Sequence, residues 1–168
     1  MVLNKDEDEC IDYCRNTWRG FESQLIIKDY DYVFILGGTN DMAIHTTAAR
    51  IVANLKDLAV TCLERGIKNV GLLTIPACGA ESSDKQRMDI RKEVNILLSS
   101  TAQVLTGAEE KYGEEVLKPH RCFAVDAASE LPNDDSHLHL WDRDRLHLSE
   151  EGSRTLAKIV FETMQAKP

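Results

Sequence analysis

The chain has 168 residues, 43% of them hydrophobic and 29% charged, which fits one domain with a real core and lies outside the disordered class. A net charge of −8, from 20 basic and 28 acidic residues, gives no basic face to neutralise phosphates, so nucleic acid and anionic membrane surfaces are not expected partners. The acidic start "MVLNKDEDEC" has no apolar signal region and no apolar run is long enough to span a bilayer, so the expected location is cytoplasmic.

In chain order, Cys10, Cys14, Trp18, Phe21 and Leu25 recur at steps of three and four and predict a helix over 5–27. The five cysteines are scattered without a C-x-x-C pair, which points to a reduced compartment. Cys10 and Cys14 lie one helical turn apart, but no second Cys or His pair follows at zinc-finger spacing, and they read as buried small apolar residues. "YVFILGGTND", residues 32–41, is a short apolar strand running into a polar knot. Ile51, Leu55, Leu58, Ala59, Cys62 and Leu63 mark a helix over 48–65, with Gly66 as its stop. "NVGLLTIP" reads as a buried strand closed by Pro76. The charge-rich "SSDKQRMDIRKE" reads as a solvated helix start, and Ile90, Val94, Leu97, Leu98, Thr101, Leu105 and Ala108 carry a third helix. "CFAVDA" is the last buried strand, and after "ELPNDDSH" Ser149 caps a final helix with its stripe at Leu156, Ile159, Val160 and Met164.

The order α-β-α-β-α-β-α, with short continuous apolar strands and no internal repeat, predicts one α/β domain over 1–168. It should be a three-layer α/β/α domain built on a parallel sheet. In such sheets ligands bind beyond the carboxyl ends of the strands, so 37–41, 76–84 and 126–147 share the expected site rim.

Two knots on that rim carry chemistry. Gly37 and Gly38 let the backbone leave the strand tightly and aim the Asn40 amide into a rim pocket, where a fixed neutral donor suits an oxyanion; a plain turn is the alternative. In "WDRDRLHLSEEG", Asp144 and His147 lie three apart, so a helical turn brings them together. A carboxylate on one ring nitrogen then leaves the other as general base, with a solvated polar loop as the alternative. His137 and His139 invite a metal reading with His147, but no carboxylate-rich or fourth-ligand pattern accompanies them, and no metal site is expected. His45 and His120 read as helix-end residues.

"GTND" closing an apolar strand, followed 104 positions later (144 minus 40) by "DRLHLSEEG" opening the last helix, resembles the third and fifth blocks of the SGNH (GDSL-type) hydrolase family. The resemblance covers roughly residues 30–165. It implies a flavodoxin-like fold and hydrolysis of acyl or acetyl ester bonds in small or acylated substrates, with no metal or organic cofactor. By position, Asn40 matches the oxyanion amide, Gly38 the glycine of the same block, His147 the general base and Asp144 the acid that orients it. Gly20 in "NTWRG" is the candidate for the family's second-block glycine, a backbone donor to the oxyanion.

The family's Gly-Asp-Ser block, which bears the nucleophile, is not found in the chain. Ser23, 17 positions before Asn40 (40 minus 23), sits on the predicted first helix and reads as a surface hydroxyl. The expectation is a chain lacking the family's first one or two strands and inactive as it stands. The segment 32–36 would then be an exposed edge prone to self-association, which a well-behaved monomer at high concentration would count against. The competing class is a truncated, non-catalytic relative acting as an ester- or carbohydrate-binding module. A flavodoxin-like cofactor binder is disfavoured because no glycine-rich or Ser/Thr-rich phosphate loop follows any strand.

Overall fold

The computed structural model describes Leu25, residues 30–107 and residues 121–166. The helix expected over 5–27 therefore lies outside the described residues, together with Gly20, Ser23, Cys10 and Cys14, except for Leu25, which is helical and packs on the core. His120 also lies outside them.

Three strands, β1 (Tyr32–Ile35), β2 (Asn69–Leu73) and β3 (Arg121–Val125), form a parallel sheet in spatial order β1-β2-β3. Tyr32 pairs with Asn69 and Ile35 with Leu72, while Asn69 pairs with Arg121 and Leu73 with Val125. Parallel neighbours need crossovers, and helices supply them: α1 (Thr39–Ala43) and α2 (Ala48–Glu64) precede β2, and α3 (Lys85–Gly107) lies between β2 and β3. A short α4 (Ala127–Glu130) and the terminal α5 (Glu150–Ala166) follow. Among the described residues the molecule is mixed α/β, with five helices around a three-stranded parallel sheet.

The twofold alternation of side chains along a strand divides the core into two clusters. Val33, Ile35, Val70, Leu72, Cys122 and Ala124 meet the stripes of α2 (Ile51, Val52, Leu55, Ala59, Cys62) and α3 (Val94, Leu98, Ala102, Leu105). The intervening residues Phe34, Leu73, Phe123 and Val125 meet Leu156, Ile159 and Val160 of α5, together with Leu131, Leu140 and Trp141. On that second face Phe34 and Phe123 both stand in register with Gly71, and their rings approach edge to face at 6.0 Å. A Cβ on Gly71 would lie 2.5 Å from Cδ1 of Phe34, so the central strand needs glycine there for the two rings to meet across it.

Local chemistry sets the boundaries. Thr47 caps α2 by accepting from the Arg50 N–H at 3.4 Å. At its other end Gly66, at φ 81°, donates to Leu63 O at 2.9 Å while Ile67 donates to Cys62 O at 3.1 Å, a Schellman closure. β2 ends at Leu73, short of the expected Pro76, because the sheet's hydrogen bonding runs out. Thr74 N–H still donates to Val125 O at 2.9 Å, but the next residue, Ile75, gives its N–H and its carbonyl to the Asn95 side chain of α3, at 2.7 and 3.0 Å. α3 starts at Lys85, ahead of its apolar stripe, behind a 3-10 turn at Gly79–Ser82. Ser149 caps α5, its Oγ accepting from Gly152 N–H at 3.1 Å. No described helix is long and apolar enough to cross a membrane.

Candidate active site

The polar knot after β1 folds as a short helix instead of a bare turn. Gly38 stands at φ 99° as N-cap of α1, and its carbonyl accepts from Met42 N–H at 3.0 Å. A Cβ at Gly38 would sit 2.7 Å from Cγ2 of Ile51 and 3.0 Å from Cδ1 of Ile75, so the position requires glycine in both conformation and space. Met42, fully buried, pins the helix to the core. Asn40 lies in the first turn, exposed, and no hydrogen bond among the described residues engages its side-chain amide. It is free to donate to a ligand at the carboxyl end of the sheet.

Asp144 and His147 are brought together, though in a tight loop and not the helical turn that would have placed them on one face. Trp141 and Leu148 form an antiparallel bridge that closes the loop, Asp142 N–H donates to His147 O at 2.8 Å, and Arg145 N–H to Asp142 O at 2.9 Å. The Trp141 indole N–H donates to Pro132 O at 2.9 Å and fixes the base of the loop. Within it, Asp144 Oδ1 accepts from the backbone N–H groups of Leu146 (2.9 Å) and His147 (3.0 Å), and Oδ2 lies 2.6 Å from His147 Nδ1. The backbone N–H of His147, then its ring and the Leu146 N–H, hold the Asp144 carboxyl down to about 2. An ionised carboxylate only accepts, so Nδ1 must be the donor and Nε2 presents its lone pair outward. The His147 side chain is 73% exposed, which leaves Nε2 open to a substrate or nucleophile.

Asp144 and His147 thus form a pair, while no hydrogen bond among the described residues joins Asn40 to it. The connection runs through the rim: Gly38 abuts Ile75, and Gly79, beyond Ile75, donates to Arg145 O at 2.8 Å, beside Asp144. Two surface hollows, one over the start of α5 (His139, Ser149, Glu151, Lys158) and one beside β3 (Val125, Asp126, Ile159), include neither Asn40 nor His147.

The other candidates separate clearly. His137 Nδ1 lies 2.8 Å from Asp134 and its ring 6.2 Å from that of His139, but no group of three metal-ligating side chains occurs among the described residues. Burial pushes the Cys62 thiol up to about 12 and that of Cys122 up to about 11, with Cys122 adding to the effect on Cys62, so neither offers a thiolate at neutral pH. Two features escaped the sequence reading. One is a second pair, His45 Nε2 to Asp84 Oδ2 at 3.0 Å, in which His45 stands at φ 57° and links the α1–α2 junction to the start of α3. The other is the contact of Asn133 with Arg145. No local periodicity signals partners 39 and 12 residues apart.

No family model matches the chain, and no curated protein matches it.

Proposed function

We propose that the chain is an SGNH-type hydrolase scaffold for acyl or acetyl esters, with a three-layer, flavodoxin-like organisation of the sheet and its covering helices. The observation that carries this reading is the 2.6 Å contact between Asp144 Oδ2 and His147 Nδ1, which leaves Nε2 outward as a base. The exposed, unengaged amide of Asn40 above its strand-end glycine supports it as oxyanion donor, with Gly38 giving α1 its entry angle. In such a reaction His147 Nε2 takes a proton from the attacking water as its oxygen bonds to the ester carbonyl carbon, and Asn40 donates to the oxyanion so formed. Collapse of the tetrahedral intermediate breaks the C–O bond to the alcohol, which leaves with the proton returned by His147. The chemistry asks for no metal or organic cofactor.

A second reading, an ester- or carbohydrate-binding module, is favoured by one fact: among the described residues no serine hydroxyl is hydrogen-bonded to His147. Hydrolysis of p-nitrophenyl acetate separates the two. Even without a serine nucleophile, a base oriented by Asp144, with the Asn40 amide at the same end of the sheet, should accelerate attack by water above the buffer rate. His147→Ala and Asn40→Ala should each remove most of that, with losses reaching roughly 10²-fold for a fully engaged group. Acceleration indifferent to both substitutions would sink the hydrolase reading, and saturable ester binding without turnover would establish the binding module. Labelling by a fluorophosphonate that disappears in His147→Ala would place an activated serine in the chain after all.

A further inference from the structure

Arg145, between Asp144 and His147, stands at φ 51°, a left-handed backbone that a bulky side chain adopts only when its surroundings hold it there. The surroundings here are specific. The Arg145 carbonyl accepts from Gly79 N–H at 2.8 Å and from Asn133 Nδ2 at 2.9 Å. The Arg145 guanidinium returns the contact, Nε donating to Asn133 Oδ1 and Nη2 to the Asn133 carbonyl, each at 3.0 Å. Asn133 Nδ2 also donates to Ala77 O at 3.2 Å, and Nη1 of Arg145 lies 3.5 Å from Asp135. A Cβ on Gly79 would sit 2.6 Å from that of Arg145, so only glycine lets the loop after β2 come this close.

We propose that Arg145 and Asn133 are positioning residues that clamp the 142–147 loop onto the loop following β2, and so hold the Asp144 carboxylate against Nδ1 of His147. The inference rests on reading His147 as a base oriented by Asp144. Without the clamp, a left-handed residue in the middle of the loop relaxes, and the two neighbours whose N–H groups bind Asp144 Oδ1 turn with it. The planar fork matters as much as the charge, because two separate donors reach Asn133.

The test reads the His147 ring directly. Long-range proton–nitrogen spectra of the labelled chain report the ratio of Nδ1–H to Nε2–H tautomers in the neutral ring. The wild-type ring is expected as Nδ1–H, and Asp144→Ala sets the ratio for an unpaired ring. Arg145→Lys and Asn133→Ala should each lower the ratio by about threefold or more, the scale of a lost half-buried hydrogen bond. Val52→Ala, which weakens α2 packing on the opposite face of the sheet from the loop, should leave it unchanged; a comparable fall there would show that general loosening moves the ring and would overturn the clamp. Should Asn133→Ala fail to fold, Arg145→Lys decides, since it keeps the charge and most of the stem. A folded Arg145→Lys with the wild-type ratio overturns the clamp. An Nε2–H wild-type ring instead overturns the reading of His147 itself.

Discussion

Gly38 joins the fold to the candidate site through two demands on one residue. Its φ of 99° lies where L side chains are strained, and the space its Cβ would fill is already occupied by Ile51 and Ile75. Gly38→Ala is expected to cost about 2–4 kcal/mol, strain and overpacking together. A urea midpoint unchanged from wild type would refute this. The glycine pair was legible in the sequence as a tight exit from a strand, and Asp144 with His147 as a couple three residues apart. The geometry that unites the couple was not. A helical turn and a closed loop both bring positions i and i+3 together, and the choice fell to Arg145, whose left-handed backbone depends on Asn133, 12 residues away.

At the scale of elements, the ends of strands and helices are where distant side chains enter. The apolar strands and the stripes of α2, α3 and α5 were legible because burial imposes a period of two or of 3.6 on the sequence. The end of β2 was not, because it is set by Asn95 on α3, whose amide takes over both backbone groups of fully buried Ile75. Asn95→Ala leaves that N–H and carbonyl unpaired in the core. It should destabilise the fold by about 2–4 kcal/mol, more than an ordinary helix-surface truncation. Denaturant titration checks the figure, and a loss below about 0.5 kcal/mol would mean that the backbone finds other partners. The extra helix α1 was missed for a related reason: five residues carry too little period to read, and Met42 is the one residue it buries in the core.

For the molecule as a whole, acid is the revealing perturbant. Asp84, Asp134 and Asp144 are held below the ordinary 3.8, Asp84 first by the Arg87 N–H, Asp134 first by the His137 ring, Asp144 first by the His147 N–H. Burial raises Asp126, but bonds from Ser129 and Thr74 outweigh it and leave it lowered too. A depressed carboxyl binds its proton later in the folded chain than in the unfolded one. Its contribution is therefore complete above the ordinary range and lost as pH falls through the folded value. The urea midpoint should fall from about pH 4 towards pH 2, and less steeply in Asp144→Asn. A midpoint flat across that window would contradict the role of these bonds.

The strands lie side by side in the order in which they occur along the chain. β2 and β3 each dock against the strand made just before them, so as the polypeptide leaves the ribosome each of these strands meets a partner already synthesised. β1 and β2 can close over α2 while β3 is still inside the exit tunnel. The Asp144–His147 loop, which emerges after all three described strands, then meets a rim whose other half already stands in place.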